Sequence, residues 1–271
     1  MEFRSITNLE QDIREYILPH LPRDIGTVYG CPRSGMLPAT IIATAIGADL
    51  GIVGQNTPLL SGDRKRNFIL PNKGKKVLLV DDSSNTGSAM ALNKKALGID
   101  CLTCAVYTRK VNRDKLDFAG PTVEGYRFFE WQFQGAGITK ESYFDMDGVL
   151  CQDPKPFDDD GKEYQDALRN AKPLYLPQVK IKAICTNRLD RWRGITEEWL
   201  AKYNVQYDHL IMQPFKTAAE RRKQGNPGKY KAKHYKKSDA KLFVESHNSQ
   251  AKVIADESGK PCLSIESMKL F

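Results

Sequence analysis

Apolar residues fall in short runs, each followed by small or polar residues and then by a stretch of helical periodicity, the alternation of an α/β chain. The clearest run is Val77-Leu78-Leu79-Val80. Four consecutive apolar residues, two of them β-branched, predict a strand buried on both faces of a parallel sheet. Asp81 and Asp82 close it, Ser83-Ser84-Asn85-Thr86-Gly87 form a small-residue turn, and the periodic run from Ser88 predicts a helix. Upstream, Thr7 or Asn8 can cap a helix carrying Leu9, Ile13 and Ile17 on one face and stopping near Pro19. A strand over Ile25 to Tyr29, the loop Gly30-Cys31-Pro32-Arg33-Ser34-Gly35 and a helix from Met36 to Ile46 follow. Cys101 to Tyr107 predicts another strand, and Tyr126 to Phe133 an aromatic one.

Gly135-Ala136-Gly137 reads as a linker, giving domains 1–134 and 135–271. The second half repeats the alternation: a strand at Ser142–Phe144, a strand at Ile181–Cys185, a helix from about Ile195 to Tyr203, and a strand at Lys241–Ser246.

Composition narrows the setting. A chain of 271 residues accommodates two modest domains, each with its own core. No apolar run approaches the ~20 residues that span a bilayer, and Met1-Glu2-Phe3-Arg4-Ser5 lacks a signal-peptide layout, so a cytoplasmic protein is expected. The six cysteines show no framework, and strand alternation separates Cys101 from Cys104. The four histidines show no zinc spacing. Much of the +8 charge lies between Lys216 and Lys241; with only Tyr230 and Tyr235 available for stacking, this run reads as a solvated connection rather than a nucleic-acid surface.

The chemistry concentrates at turns. A strand, a small-residue turn and a helix N-terminus make a phosphate cradle. Two acids beside it would repel phosphate but suit neutral hydroxyls, so ribose 5-phosphate fits both. The stretch resembles the phosphoribosyl pyrophosphate (PRPP) motif of type I phosphoribosyltransferases. The resemblance implies that Asp81 and Asp82 face the ribose hydroxyls while Ser83, Ser84, Asn85, Thr86 and Gly87 wrap the 5-phosphate. The loop carrying Arg33, Ser34 and Gly35 is similar to that family's pyrophosphate loop. Gln55 to Asn72, with Ser61-Gly62-Asp63-Arg64-Lys65-Arg66, reads either as its mobile lid or as a solvated hairpin. Arg109 or Lys110 would meet the base, purine-type by resemblance, with Phe128, Phe129 or Trp131 as platform; the plain alternative is a half-buried aromatic strand.

Phe144-Asp145-Met146-Asp147-Gly148-Val149-Leu150 resembles the first motif of the haloacid-dehalogenase (HAD) superfamily. That resemblance implies Asp145 as nucleophile forming an aspartyl-phosphate, Asp147 as acid and base, and Gly148 as the turn. Thr186, in Thr186-Asn187-Arg188, would bind the phosphoryl group, with Arg188 adding charge. One of Lys229, Lys231 and Lys233, preceding a short helix, would neutralise the site, and spacing favours Lys231. Glu245 would join Asp145 and Asp147 as a Mg²⁺ ligand. Ser246 stands where the family usually has a second acid, and Asp256 lies too far along. The short Gln152–Val179 segment leaves a minimal cap.

The expected fold is therefore α/β in two domains, a phosphoribosyltransferase-type parallel sheet with hood followed by a small HAD-like Rossmannoid domain. The expected function is Mg²⁺-dependent phosphoribosyl transfer from PRPP to a nucleobase, joined to phosphomonoester hydrolysis. The alternatives are a PRPP-sensing regulator and a nucleic-acid end phosphatase. Expected partners are PRPP, a nucleobase and a phosphomonoester, without membrane, and with a homodimer left open.

Overall fold

The computed structural model describes residues 1–54, 75–155, 161–223 and 225–271. The segment expected as a lid, Gln55 to Asn72, lies outside the described residues. The chain divides into two compact units, Glu2–Arg127 and Phe128–Phe271.

The first unit is built on a parallel sheet of β1 (Ile25–Gly30), β2 (Asp49–Ile52), β3 (Lys76–Ser84), β4 (Leu102–Thr108) and β5 (Phe118–Ala119), in the order β2-β1-β3-β4-β5. Every residue of β1 is buried, as the continuous apolar character of a central parallel strand requires. Val77 and Leu79 pack in one cluster with Tyr29 and Met90. β3 is longer than its apolar run suggests: Ser83 pairs with Tyr107 and Ser84 with Thr108, so ladder bonds carry it through polar residues.

Helix α1 (Ile6–Asp12) starts earlier than expected. Ser5 is the cap, its Oγ accepting the Asn8 amide at 3.1 Å while its own amide donates to Asn8 Oδ1 at 3.0 Å. Leu9, Ile13 and Ile17 form a fully buried stripe. Helices α2 (Met36–Ile46) and α3 (Ser88–Leu97) pack on the sheet and each ends at a glycine of positive φ, Gly47 and Gly98.

The second unit carries β6 (Ser142–Phe144), β7 (Ile181–Leu189), β8 (Tyr207–Gln213), β9 (Leu242–Glu245), β10 (Cys262–Ser264) and β11 (Lys269–Leu270), in the order β8-β7-β6-β9-β10-β11. All neighbours are parallel except the β10–β11 edge. Tyr143, Phe243 and Tyr235 interlock beneath the sheet with ring centroids 5.6–6.2 Å apart. The longer helices are α4 (Lys162–Asn170), α5 (Arg193–Lys202), α6 (Pro227–Lys237) and α7 (Asn248–Ser258), with a shorter one at Ala218–Lys223. The short segment after the first acidic motif is not bare loop: α4 packs on α5, burying Tyr164 and Leu168.

The aromatic stretch departs from the expected strand. Only Arg127–Phe129 is extended, and Glu130–Gly135 is a 3-10 helix. Gly135-Ala136-Gly137 lies within the second unit, with a short helix at Gly137–Lys140. All six cysteines are free and buried. No helix among the described residues is long and apolar enough to cross a membrane.

Candidate active sites

The register Gly30↔Val80 sets the ends of β1 and β3 side by side. The Gly30–Gly35 loop and the Asp81-Asp82 pair therefore share one carboxyl edge, where open parallel sheets bind ligands. The Cys31 amide donates to Val80 O at 2.8 Å. A Cβ on Gly35 would lie 2.7 Å from Cys31 O, 2.8 Å from Val80 O and 2.9 Å from Asp81 Oδ1, so only glycine permits this approach. Arg33 is exposed and Ser34 half-buried in the same loop.

Asp81 and Asp82 are 8% and 3% exposed. Asp81 Oδ1 accepts the Asp82 amide at 2.9 Å. Burial, and then repulsion from Asp82, push the Asp81 carboxyl up to about 7. Because β3 continues through Ser84, the turn itself is only Asn85-Thr86-Gly87. Gly87 has φ +84° at the head of α3, and Thr86 Oγ1 accepts the Ser88 amide at 3.3 Å. Buried Asn112 braces the turn, donating from Nδ2 to Asn85 O at 2.6 Å while Lys115 Nζ donates to its Oδ1 at 2.9 Å.

Arg109 and Lys110 follow β4; Lys110 is exposed and Arg109 half-buried. Arg127, which sequence reasoning did not single out, joins this corner. Burial lowers its basicity, as does the Arg109 charge, against the opposing pull of Asp82. Arg109 Nε, Arg127 Nη1 and Ser84 Oγ are buried without a hydrogen-bond partner among the described residues. Phe128, Phe129 and Trp131 belong to the second unit, where Phe129 and Trp131 stack on each other at 4.7 Å and Phe128 packs against Phe133 at 6.0 Å.

In the second unit the register Phe144↔Val244 puts Asp145 and Glu245 at adjacent strand ends. Lys231, on α6, reaches between them: Nζ donates to Asp145 Oδ2 at 2.6 Å, Glu245 Oε2 at 2.7 Å and Gln250 Oε1 at 3.3 Å. The three lysines lie inside α6 rather than before it, and Lys231 is the one turned to the acids. Lys229 pairs with Glu257 at 3.4 Å instead, and Lys233 is exposed.

Lys231, Asp145 and Glu245 are 1%, 4% and 0% exposed. Burial opposes the Lys231 charge, but the two carboxylates outweigh it and hold the ammonium protonated. One cation cannot neutralise two acids. Glu245, despite burial, stays ionised through Lys231, with Oε1 also accepting the Ser246 amide at 2.8 Å and hydroxyl at 2.9 Å. Burial and the Glu245 charge then leave Asp145 raised.

Asp147 is held by Arg188, whose Nε donates to its two oxygens at 3.1 and 3.0 Å and whose Nη2 donates to Oδ1 at 2.5 Å. Arg188 is itself fixed by Thr196 Oγ1 at 3.2 Å and Cys151 Sγ at 3.3 Å. Thr186 Oγ1 accepts the Arg188 amide at 3.2 Å, which leaves its hydroxyl hydrogen available to donate. Gly148 turns at φ +77°, and a Cβ there would sit 2.5 Å from Ser246 Cβ. Asp153 is a further acid near Asp147; burial and then that neighbour raise it, and nothing in its Gln152-Asp153-Pro154 context marked it. Asp256 pairs with Lys252 at 2.7 Å on the exposed side of α7.

For Mg²⁺, the donors suit in kind: carboxylate oxygens are what that ion prefers, and Asp145 and Glu245 repel each other in a buried site. Among the described residues, no three Asp, Glu, His or Cys side chains close around a single point.

No protein-family model matches this sequence, and no curated protein matches it. Among solved structures, the chain is similar to a purine phosphoribosyltransferase from Pyrococcus horikoshii, at 15% identity and TM-score 0.38, over 48% of this chain and 92% of that one. It is similar to the Helicobacter pylori xanthine-guanine-hypoxanthine phosphoribosyltransferase, at 12% identity and TM-score 0.34, over 48% of this chain and 94% of that one. It is also similar to a chain of the Pnkp1/Rnl/Hen1 RNA repair complex, at 16% identity and TM-score 0.28, over 83% of this chain and 70% of that one.

Proposed function

We propose that the chain is a bifunctional enzyme. Its first unit transfers phosphoribosyl from PRPP to a purine-type nucleobase, and its second hydrolyses a phosphomonoester through an aspartyl-phosphate. The observation that carries the hydrolase half is the buried Lys231 shared by Asp145 and Glu245 at adjacent strand ends. The transferase half is supported by the tight seat of Gly35 against Asp81.

In the first unit, the ribose hydroxyls donate to Asp81 and Asp82, and the 5-phosphate lies against Ser83, Ser84 and the Asn85-Thr86-Gly87 turn. Arg33, Ser34 and Gly35 take the pyrophosphate. The base carbonyl is met by Arg109 or Lys110. In the second unit, an Asp145 oxygen attacks phosphorus as the bond to the ester oxygen breaks, and Asp147 supplies a proton to the leaving alkoxide. Asp147 then takes a proton from water; the water oxygen bonds to phosphorus, and the aspartyl bond breaks to release phosphate. Lys231 holds Asp145 in line, Arg188 orients Asp147, and the Thr186 hydroxyl donates to the moving phosphoryl group. Asp145 and Glu245 are the carboxylates that would hold Mg²⁺, which would supply charge neutralisation there.

The test is incubation of the full chain with PRPP, Mg²⁺ and a panel of bases, with products followed by mass spectrometry. Pyrophosphate equal to the sum of nucleotide and nucleoside is expected; no pyrophosphate with any base would remove the transferase half. Single-turnover hydrolysis in ¹⁸O-water tests the other half. An aspartyl-phosphate attacked at phosphorus leaves the label in the released phosphate. It also leaves the Asp145 carboxylate accessible to acid-quench trapping as a phosphorylated peptide; absence of that peptide removes the nucleophile assignment.

A further inference from the structure

A second cavity lies at the same sheet edge as the Asp145 centre, on the side of the outer strand. It measures about 360 Å³ and is lined by Asn187, Gln213, Arg221, Arg222, Tyr230 and Lys233, among others, with no acid in its wall among the described residues. Four elements build it, one of them the short helix Ala218–Lys223 that carries Arg221 and Arg222. β7 contributes Asn187, between Thr186 and Arg188; β8 ends in Gln213; and α6 contributes Tyr230 and Lys233 on either side of Lys231. Asn187 follows Thr186 on β7, so the cavity and the Asp145 centre share that strand's carboxyl end.

Its chemistry is mixed in a specific way. Gln213 is 2% exposed; Nε2 donates to Asn187 Oδ1 at 2.9 Å, and Oε1 is buried with no partner among the described residues. A buried carbonyl oxygen left without a donor is costly, and a ligand hydroxyl or amine restores the bond. Tyr230 is committed, its hydroxyl donating to Met212 O at 2.7 Å, and Arg221 Nη1 donates to Asn187 O at 3.0 Å. The rim is cationic through Arg222 and Lys233, both exposed. A ligand that answers both features carries an anion for the rim and a hydroxyl or amine for the floor.

We propose that this cavity binds a second phosphate and the adjoining nucleoside of the phosphomonoester substrate, so that the hydrolase half prefers a nucleotide unit bearing two phosphate groups. The proposal rests on the phosphomonoesterase reading of the Asp145 centre for its context, but the binding it describes does not need turnover. The same chemistry is presented by a free nucleoside bisphosphate and by the phosphorylated end of a ribonucleic acid strand.

Calorimetric titration of the full chain carrying Asp145→Asn separates these points. Adenosine 3′,5′-bisphosphate should bind about tenfold more tightly than adenosine 5′-monophosphate, the effect of one charge-assisted hydrogen bond. Adding Lys233→Ala or Arg222→Ala should remove that margin without changing the melting temperature. Equal affinities for the two ligands, or a margin that survives both variants, overturn the proposal. A 3′-phosphorylated ribotrinucleotide binding more tightly than the bisphosphate, with a salt slope that falls by about one in Lys233→Ala, identifies a strand end as the source. Affinity for the trinucleotide no better than for the bisphosphate identifies the small molecule. If the unsubstituted chain hydrolyses no phosphomonoester while the margin persists, the hydrolase reading fails and the cavity assignment stands.

Discussion

Replacing Lys231 by methionine keeps the reach of the side chain and deletes its charge. The ammonium stands 2.6 Å from Asp145 and 2.7 Å from Glu245 in a site almost closed to water. Removing one partner of a buried ion pair costs about 3–5 kcal/mol, because the stranded charge is not rehydrated. Here two carboxylates are stranded, so the upper end of that range is expected. This is a large share of the about 5–15 kcal/mol that holds a domain together, and corresponds to a fall of about 10–20 °C in melting temperature. All three tryptophans of the chain, Trp131, Trp192 and Trp199, lie in Phe128–Phe271, so their fluorescence in a urea titration reports this unit alone. Adding Glu245→Gln to the variant removes one stranded charge and should restore about 1–3 kcal/mol. A loss below about 1 kcal/mol for Lys231→Met, the size of an ordinary substitution, would mean that Lys231 does not neutralise the two acids. So would a double variant less stable than the single one.

Four further outcomes follow from the geometry. Because the folded Asp81 carboxyl titrates near 7 against an ordinary value of 3.8, the native state holds an extra proton between those pH values. Stability of the first unit should therefore fall as pH rises from about 4 to 7, and Asp81→Asn should flatten that slope in circular-dichroism melts. For the same reason ribose 5-phosphate should bind with a midpoint that Asp82→Asn moves to lower pH, read by calorimetry against the unsubstituted chain so that the ligand's own titration cancels. Gly35→Ala forces a Cβ against two backbone carbonyls and Asp81, and should cost about 1–3 kcal/mol and weaken ribose 5-phosphate binding; unchanged affinity would dissociate the loop from the acid pair. Arg188→Lys cannot reproduce the fork on Asp147 together with the Thr196 and Cys151 contacts. It should lower phosphomonoesterase kcat at least about tenfold, with a smaller change in KM.

The parallel strands were legible because continuous apolar runs such as Val77–Val80 and the wholly buried β1 have no other use in a chain of this composition. Their lengths were not, since the ladder alone carries β3 through Asp81–Ser84 and β7 through Thr186–Leu189. The Tyr126–Phe133 stretch has aromatic residues at strand-like positions, yet Phe129 and Trp131 stack on each other where the chain winds into a 3-10 helix, a tertiary outcome that alternation does not encode. Ser5 rather than Thr7 or Asn8 caps α1 because the Ser5–Asn8 pair satisfies two amides reciprocally. Lys231 could be favoured over its neighbours by spacing, but which lysine faces the acids depends on the phase of α6 against β6 and β9. Arg127 and Asp153 carried no local signal at all. Each matters through neighbours distant in the chain, Arg109 and Asp82 for the one, His247 and Glu245 among those for the other.

If the proposed function holds, one chain both makes a nucleotide and removes a phosphate. The most direct test supplies a nucleobase with PRPP and Mg²⁺ and compares the unsubstituted chain with Asp145→Asn by mass spectrometry. Nucleoside, phosphate and pyrophosphate are expected from the former, and nucleotide with pyrophosphate from the latter. Nucleotide accumulating equally in both, with no nucleoside in either, would contradict the proposed function.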